Sequence, residues 1–115
     1  MAICNLWSVV RVPFPYTDRP VRQHRPALVV AANGLQSAHA LLWVLMITSA
    51  ENRGWPQDVV ISNYERAGLP VASLVRCAKI ATIDAQDAEP IGTLPNADRP
   101  KVARHVRRLL APLLE

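Results

Sequence analysis

Apolar runs of strand length, each closed by turn residues, fill the first 94 positions of this chain, and from Ala97 onward the apolar period becomes helical. Runs near 6–12, 26–32, 41–48, 58–61, 73–78, 80–83 and 91–94 are rich in β-branched residues and read as short strands. Pro13 and Pro15 are expected to end the first, because proline has no N–H for a ladder. The 13–24 connection is then a long, partly stiff loop of the kind that often carries function. In the last segment Val102, Val106, Leu109, Leu110 and Leu113 recur at helical spacing, with Lys101, Arg104, Arg107 and Arg108 between them. That pattern predicts an amphipathic C-terminal helix. Asn96 is its expected N-cap, Asp98 suits the positive end of its dipole, Pro100 is tolerable in the first turn, and Pro112 should fray or end it. Many short strands with one terminal helix predict a mainly-β small barrel, since closure removes exposed sheet edges.

At 115 residues the chain is expected to be a single domain spanning 1–115. Half its residues are hydrophobic but only 5% are aromatic, so the core must be built from Val, Leu, Ile and Ala. No charge occurs from Ala27 to Ala50, a length close to the roughly 20 residues of a membrane span. Asn33, Gly34, Gln36, Ser37 and His39 interrupt its centre, however, and two buried strands joined by a turn explain it better. Cys4 and Cys77 form neither a disulfide framework nor a zinc pattern and read as reduced thiols. With no basic region before the first apolar residues, a cytoplasmic location without membrane attachment is expected.

Thirteen Lys and Arg against nine Asp and Glu give a formal charge of +4, compatible with a polyanionic partner and equally with a solvated surface. The acids are scattered, without the paired spacing of a two-metal nuclease, so neither metal nor cofactor is expected. The four glycines form no phosphate loop, and no Ser/His/Asp nucleophile signature is present. What stands out instead are polar groups at strand ends. Arg25 sits where a polar loop becomes an apolar strand, and it either faces a site, pairs with Asp18 or caps the strand. Arg76 shares a face with Leu74, Ala78 and Ile80 if alternation holds, and such a charge needs a structural partner or a ligand. Thr48 and Ser49 close another apolar run, where their hydroxyls cap the turn or donate to a ligand. His24 and His39 fall in expected loops, and His105 on the helix surface. Trp55, beside Pro56 in a polar loop, stacks on a base, meets a protein or simply packs, whereas Trp43 reads as core. The basic face of the helix is either merely solvated or steers a polyanion. This inventory suits metal-free RNA cleavage, in which the 2′-OH attacks the adjacent phosphorus and the protein supplies a proton acceptor, a proton donor and positive charge. The planar fork of arginine fits the last role.

Four pieces occur in order: Val12-Pro13-Phe14-Pro15-Tyr16-Thr17-Asp18, Arg25-Pro26-Ala27-Leu28-Val29-Val30, Ile47-Thr48-Ser49, and Val75-Arg76-Cys77-Ala78-Lys79-Ile80-Ala81-Thr82-Ile83-Asp84. Together they resemble the MazF/PemK/Kid family of bacterial toxin ribonucleases. The resemblance implies an SH3-like barrel of the CcdB/PemK/MazF kind, a homodimer, and sequence-specific cleavage of single-stranded RNA, often mRNA, without a metal. It further implies a cognate acidic antitoxin that blocks the site, here expected across the groove between the 13–24 and 51–57 loops. Arg25 and Thr48 match the family's catalytic arginine and threonine, and Arg76 matches a second arginine of the Kid branch. Asp18, His24, Ser49 and Trp55 are the accompanying expected RNA contacts, and the general base stays open between Arg25, His24 and solvent. The chain departs from the pattern in two places: Trp7-Ser8 replaces a Gly-Asp pair, and Ala78 replaces the Kid-branch aspartate. The alternatives are a CcdB-like gyrase poison, whose Trp-Gly-Ile terminus this chain lacks, and a catalytically weak relative with a regulatory role.

Overall fold

Residues 4–14 and 23–114 are described by a computed structural model. Their apolar runs form β1 (Ser8–Phe14), β2 (Gln23–Ala31), β3 (Leu41–Ser49), β4 (Asp58–Val60), β5 (Ser73–Asp84) and β6 (Glu89–Thr93). Helix α1 (Asn33–His39) links β2 to β3, and α2 (Arg99–Leu114) ends the chain. All pairings are antiparallel, in the order β4-β5-β3-β2-β1-β6. The result is the expected small barrel-like sheet with a C-terminal helix, but among the described residues the ladder stays open between β4 and β6. Shortness protects these edges instead of closure: β4 has three residues, and β6 has five with Pro90 among them.

Strand alternation divides the core between the two faces of the sheet. Val10, Val12, Ala27, Val29, Leu42, Val44 and Met46 pack together on one. Val9, Leu28, Leu45, Ile47, Val59 and Val75 pack on the other, where Val102 and Val106 of α2 cover them. Burial on both faces is why the runs Ala27-Leu28-Val29 and Val44-Leu45-Met46-Ile47 are continuous and not alternating.

Several local expectations change. β1 continues through Pro13, because β6 leaves β1 at Arg11 and a proline beyond that point has an unpaired side for its missing N–H. The polar 33–39 segment is a two-turn helix and not a simple turn. It ends at Ala40 with φ +56°, and the Gln36 amide pairs with both backbone groups of Cys4, at 3.1 and 2.8 Å. Residues 73–84 form one strand containing a bulge, since Leu45 faces Ile80 while Met46 faces Arg76. Ala78, Lys79 and Ile80 are therefore exposed, and neither Ala78 nor Ile80 joins Arg76 on a buried face. Trp43 is 44% exposed and lies outside the core clusters. Helix α2 begins at Arg99, three residues past Asn96, and runs through Pro112. Asp98, just before it, is buried and accepts from the Ser62 backbone N–H at 2.9 Å and hydroxyl at 3.0 Å. His24 belongs to β2, and His39 to α1, while His105 is half-buried on α2.

Gly68 and Gly92 fasten the 62–72 segment to β6. A Cβ on Gly68, whose φ is +79°, would overlap the carbonyl of Ile91, and one on Gly92 would overlap the backbone of Ala67. Cys4 and Cys77 are free and buried. No helix among the described residues is long and apolar enough to cross a membrane.

Candidate functional site

Three neighbouring strands, β2, β3 and β5, bring polar residues to a common cavity of about 200 Å³. Arg25 comes from the start of β2, Thr48 from the end of β3 and Arg76 from the point where β5 begins its bulge. Phe14, Met46, Ile47 and Lys79 complete the lining. The bulge displaces Lys79 from the regular pleat and puts a third cation on the cavity. The Phe14 ring is the shared platform: the Arg25 guanidinium carbon lies 4.9 Å from its centroid and the Lys79 amine 5.8 Å. The negative face of the ring makes this gathering of cations tolerable, and an anion placed among them would relieve their mutual repulsion.

Arg76 is the most constrained of the three. Its Nε donates to Asp58 Oδ1 at 3.1 Å, and its Nη2 donates to Asp58 Oδ2 at 3.0 Å and to the Asn52 carbonyl at 2.6 Å. The guanidinium carbon stands 4.1 Å from the centroid of the Trp55 ring. Both side chains of the pair are largely withdrawn from water, at 12% and 8% exposure. Burial alone would raise the Asp58 carboxyl, but the Arg76 hydrogen bonds and charge, with the backbone N–H groups of Trp55 and Gly54, hold it below its ordinary value. The partner that a charge at Arg76 requires is thus Asp58, contributed by a different strand.

Thr48 Oγ1 accepts a hydrogen bond from Asn52 Nδ2 at 2.8 Å, which leaves its own proton to donate. Asn52 consequently braces two cavity residues, through its amide and its carbonyl. Ser49 Oγ accepts from the Glu51 N–H at 3.3 Å and caps the following turn without lining the cavity. His24 is exposed beside Arg25, and strand alternation turns it to the opposite face. Trp55 does not line the cavity either, but it is 48% exposed and adjoins it through Arg76. Asp18, and with it the possible Arg25–Asp18 pair, lies outside the described residues. Among the described residues no three His, Cys, Asp or Glu side chains converge.

The sequence placed no emphasis on Asp58, Asn52, Phe14 or Lys79 individually. Phe14 and Lys79 fall inside the quoted motifs, where their neighbours drew attention first. For Asp58 the available signal was a carboxylate opening a short apolar run, the mirror of Arg25, but its partner depends on a pairing that the sequence does not display.

The family model for PemK-like, MazF-like toxins of type II toxin–antitoxin systems matches residues 6–110. No curated protein sequence matches the chain. Among solved structures, MazF from Deinococcus radiodurans is similar at TM-score 0.76 and 20% identity, over 96% of this chain and 99% of that one. The Mycobacterium tuberculosis toxin MazF-mt6 is similar at TM-score 0.67 and 22% identity, over 89% of this chain and 95% of that one. An endoribonuclease in complex with its cognate antitoxin, from a mycobacterial species, is similar at TM-score 0.71 and 19% identity, over 91% and 92%. At these identities the structures establish a common fold, while the family model spans nearly all of the sequence. The chain belongs to the PemK-like, MazF-like toxins of type II toxin–antitoxin systems.

Proposed function

We propose that this toxin is a metal-independent, sequence-specific endoribonuclease that cuts single-stranded RNA through attack of a 2′-OH on the adjacent phosphate, leaving a 2′,3′-cyclic phosphate. The observation that carries this reading is the convergence of Arg25, Thr48 and Arg76 on one cavity. Arg25 and Arg76 supply N–H forks to the non-bridging oxygens, whose charge grows as the phosphorane forms. Thr48, its oxygen engaged by Asn52, donates its proton to the same group. Lys79 adds positive charge, and the outer face of Trp55 offers a flanking base a surface to stack on. Asp18 and Ser49 make further contacts to the RNA strand. The proton acceptor is Arg25 or solvent, because His24 turns away from the cavity.

A cognate acidic antitoxin fits the same site, since carboxylates satisfy the arginine forks that phosphates would. One structural neighbour is itself an endoribonuclease bound to its antitoxin, which supports this partner. The active form in this reading is a homodimer. The test is cleavage of a defined pool of single-stranded RNAs by purified toxin in EDTA. Cutting at a recurrent short motif, with cyclic phosphate ends, is the expected result. Activity that disappears in EDTA and returns with Mg²⁺ would overturn the metal-free mechanism.

A further inference from the structure

Asp58 has so far been only the partner of Arg76, yet it takes two of the three hydrogen bonds that Arg76 donates and ties down the loop that carries Trp55. β4 pairs with β5 so that Asp58 lies directly across from Arg76. The carboxylate takes the Nε and Nη2 edge of the guanidinium, and its Oδ2 also accepts the Trp55 backbone N–H at 3.1 Å. That second bond fixes the loop that lays the Trp55 ring against the guanidinium face. Of the five N–H donors of an arginine, Nε and both Nη2 protons are thereby used, and the two on Nη1 remain. A long side chain that would otherwise sample many rotamers is held along one edge and over one face before any ligand arrives.

Resting on the reading of Arg76 as a phosphate ligand, we infer that Asp58 is a positioning residue, which holds Arg76 so that Nη1 is the edge presented to the scissile phosphate. The alternative is an ion pair that only ties β4 to β5. The two roles differ in what removing the charge does. Asp58→Asn turns one acceptor into a donor facing Nε, and it removes a negative charge from beside a cationic cavity. A loss of positioning then lowers turnover while ground-state attraction for RNA is unchanged or stronger. A purely structural tie has no reason to split the two.

The experiment measures kcat and KM on a single-stranded RNA that the wild-type toxin cuts, for wild type, Asp58→Asn, Arg76→Ala and the double variant, with thermal melts alongside. Expected for Asp58→Asn is a fall in kcat of about 10²-fold, the scale on which small misplacements act, without a rise in KM. The double variant should be no slower than Arg76→Ala alone, because Asp58 acts through that residue. A kcat within about twofold of wild type, or losses that multiply in the double variant, would overturn the assignment. A second measurement does not depend on turnover: the ¹⁵N resonance of Arg76 Nε–H in wild-type toxin, recorded with and without the same strand carrying a 2′-deoxy group at the cut site. A slowly exchanging signal that moves when the strand binds supports the assignment; a signal indifferent to the strand defeats it. Should Asp58→Asn not fold, this measurement decides alone. Wild-type toxin that cuts no RNA in the pool would count against the nuclease reading, whereas wild type that cuts while Asp58→Asn keeps its kcat would count against Asp58 alone.

Discussion

Thr48 has a single hydroxyl, whose oxygen already receives the Asn52 amide, so any chemistry it performs must use the remaining proton. Thr48→Val keeps the branched shape and removes that proton, and Arg25→Ala removes an exposed guanidinium without opening the core. Each is expected to reduce RNA cleavage by about 10²-fold or more while the melting temperature barely moves. Single-turnover cleavage with a parallel melt checks this, and wild-type rates in both variants would show that the cavity does not hold the reaction. Asp58 provides a second expectation, concerning stability. Its folded carboxyl titrates below the ordinary value of 3.8, so its contribution is complete above that value and is lost as pH falls through the lower folded one. The denaturation midpoint of wild type relative to Asp58→Asn should therefore be constant at neutral pH and converge in acid, from about pH 4 downward. A gap that does not narrow between neutral pH and about pH 2 would contradict the sign of the shift. Cys77 behaves oppositely: burial, reinforced by the Asp58 charge, pushes its thiol up to about 11, so the native protein keeps it protonated at neutral pH.

Among the elements, the contact between the 62–72 segment and β6 allows the sharpest test. Gly68→Ala and Gly92→Ala each put a methyl group into backbone, the first at φ +79° as well, and both should cost at least about 2 kcal/mol of stability. Urea midpoints measure this, with Gly34→Ala as the control, since its Cβ position is open. The strands themselves were legible because both faces of the sheet are buried and each run is apolar for its whole length. Helix α2 was legible from its period. What could not be read were features set by neighbours. The β5 bulge depends on its register with β3, the 33–39 helix is too short to display a period, and Trp43 looks like core until the limits of the buried cluster are known. The same division applies to the site. Arg25, Thr48 and Arg76 could be picked out because a polar group interrupts or bounds an apolar run. Asp58 could not, because its role follows from β4 lying beside β5, a pairing of segments separated by the long 61–72 connection.

At the scale of the whole molecule, a formal charge of +4 and a cavity lined by Arg25, Arg76 and Lys79 favour polyanions in general. Binding of a single strand should weaken as salt rises, roughly linearly in the logarithms, with a slope that falls by about 0.7 for each phosphate contact removed by substitution. An acidic peptide from the antitoxin should displace the strand competitively; tight binding of both at once would disprove a shared site. Anisotropy of a labelled oligonucleotide reads both results. A last consequence follows from the cavity drawing on β2, β3 and β5. A ribosome that has completed residue 72 has made Arg25 and Thr48, but not Arg76, nor the strand that must flank β3. Early hairpins can form during synthesis, whereas this pairing waits for distant chain. Whatever the cavity acts on, a translation product ended before β5 does not possess it, and the cell that makes such a fragment has armed nothing.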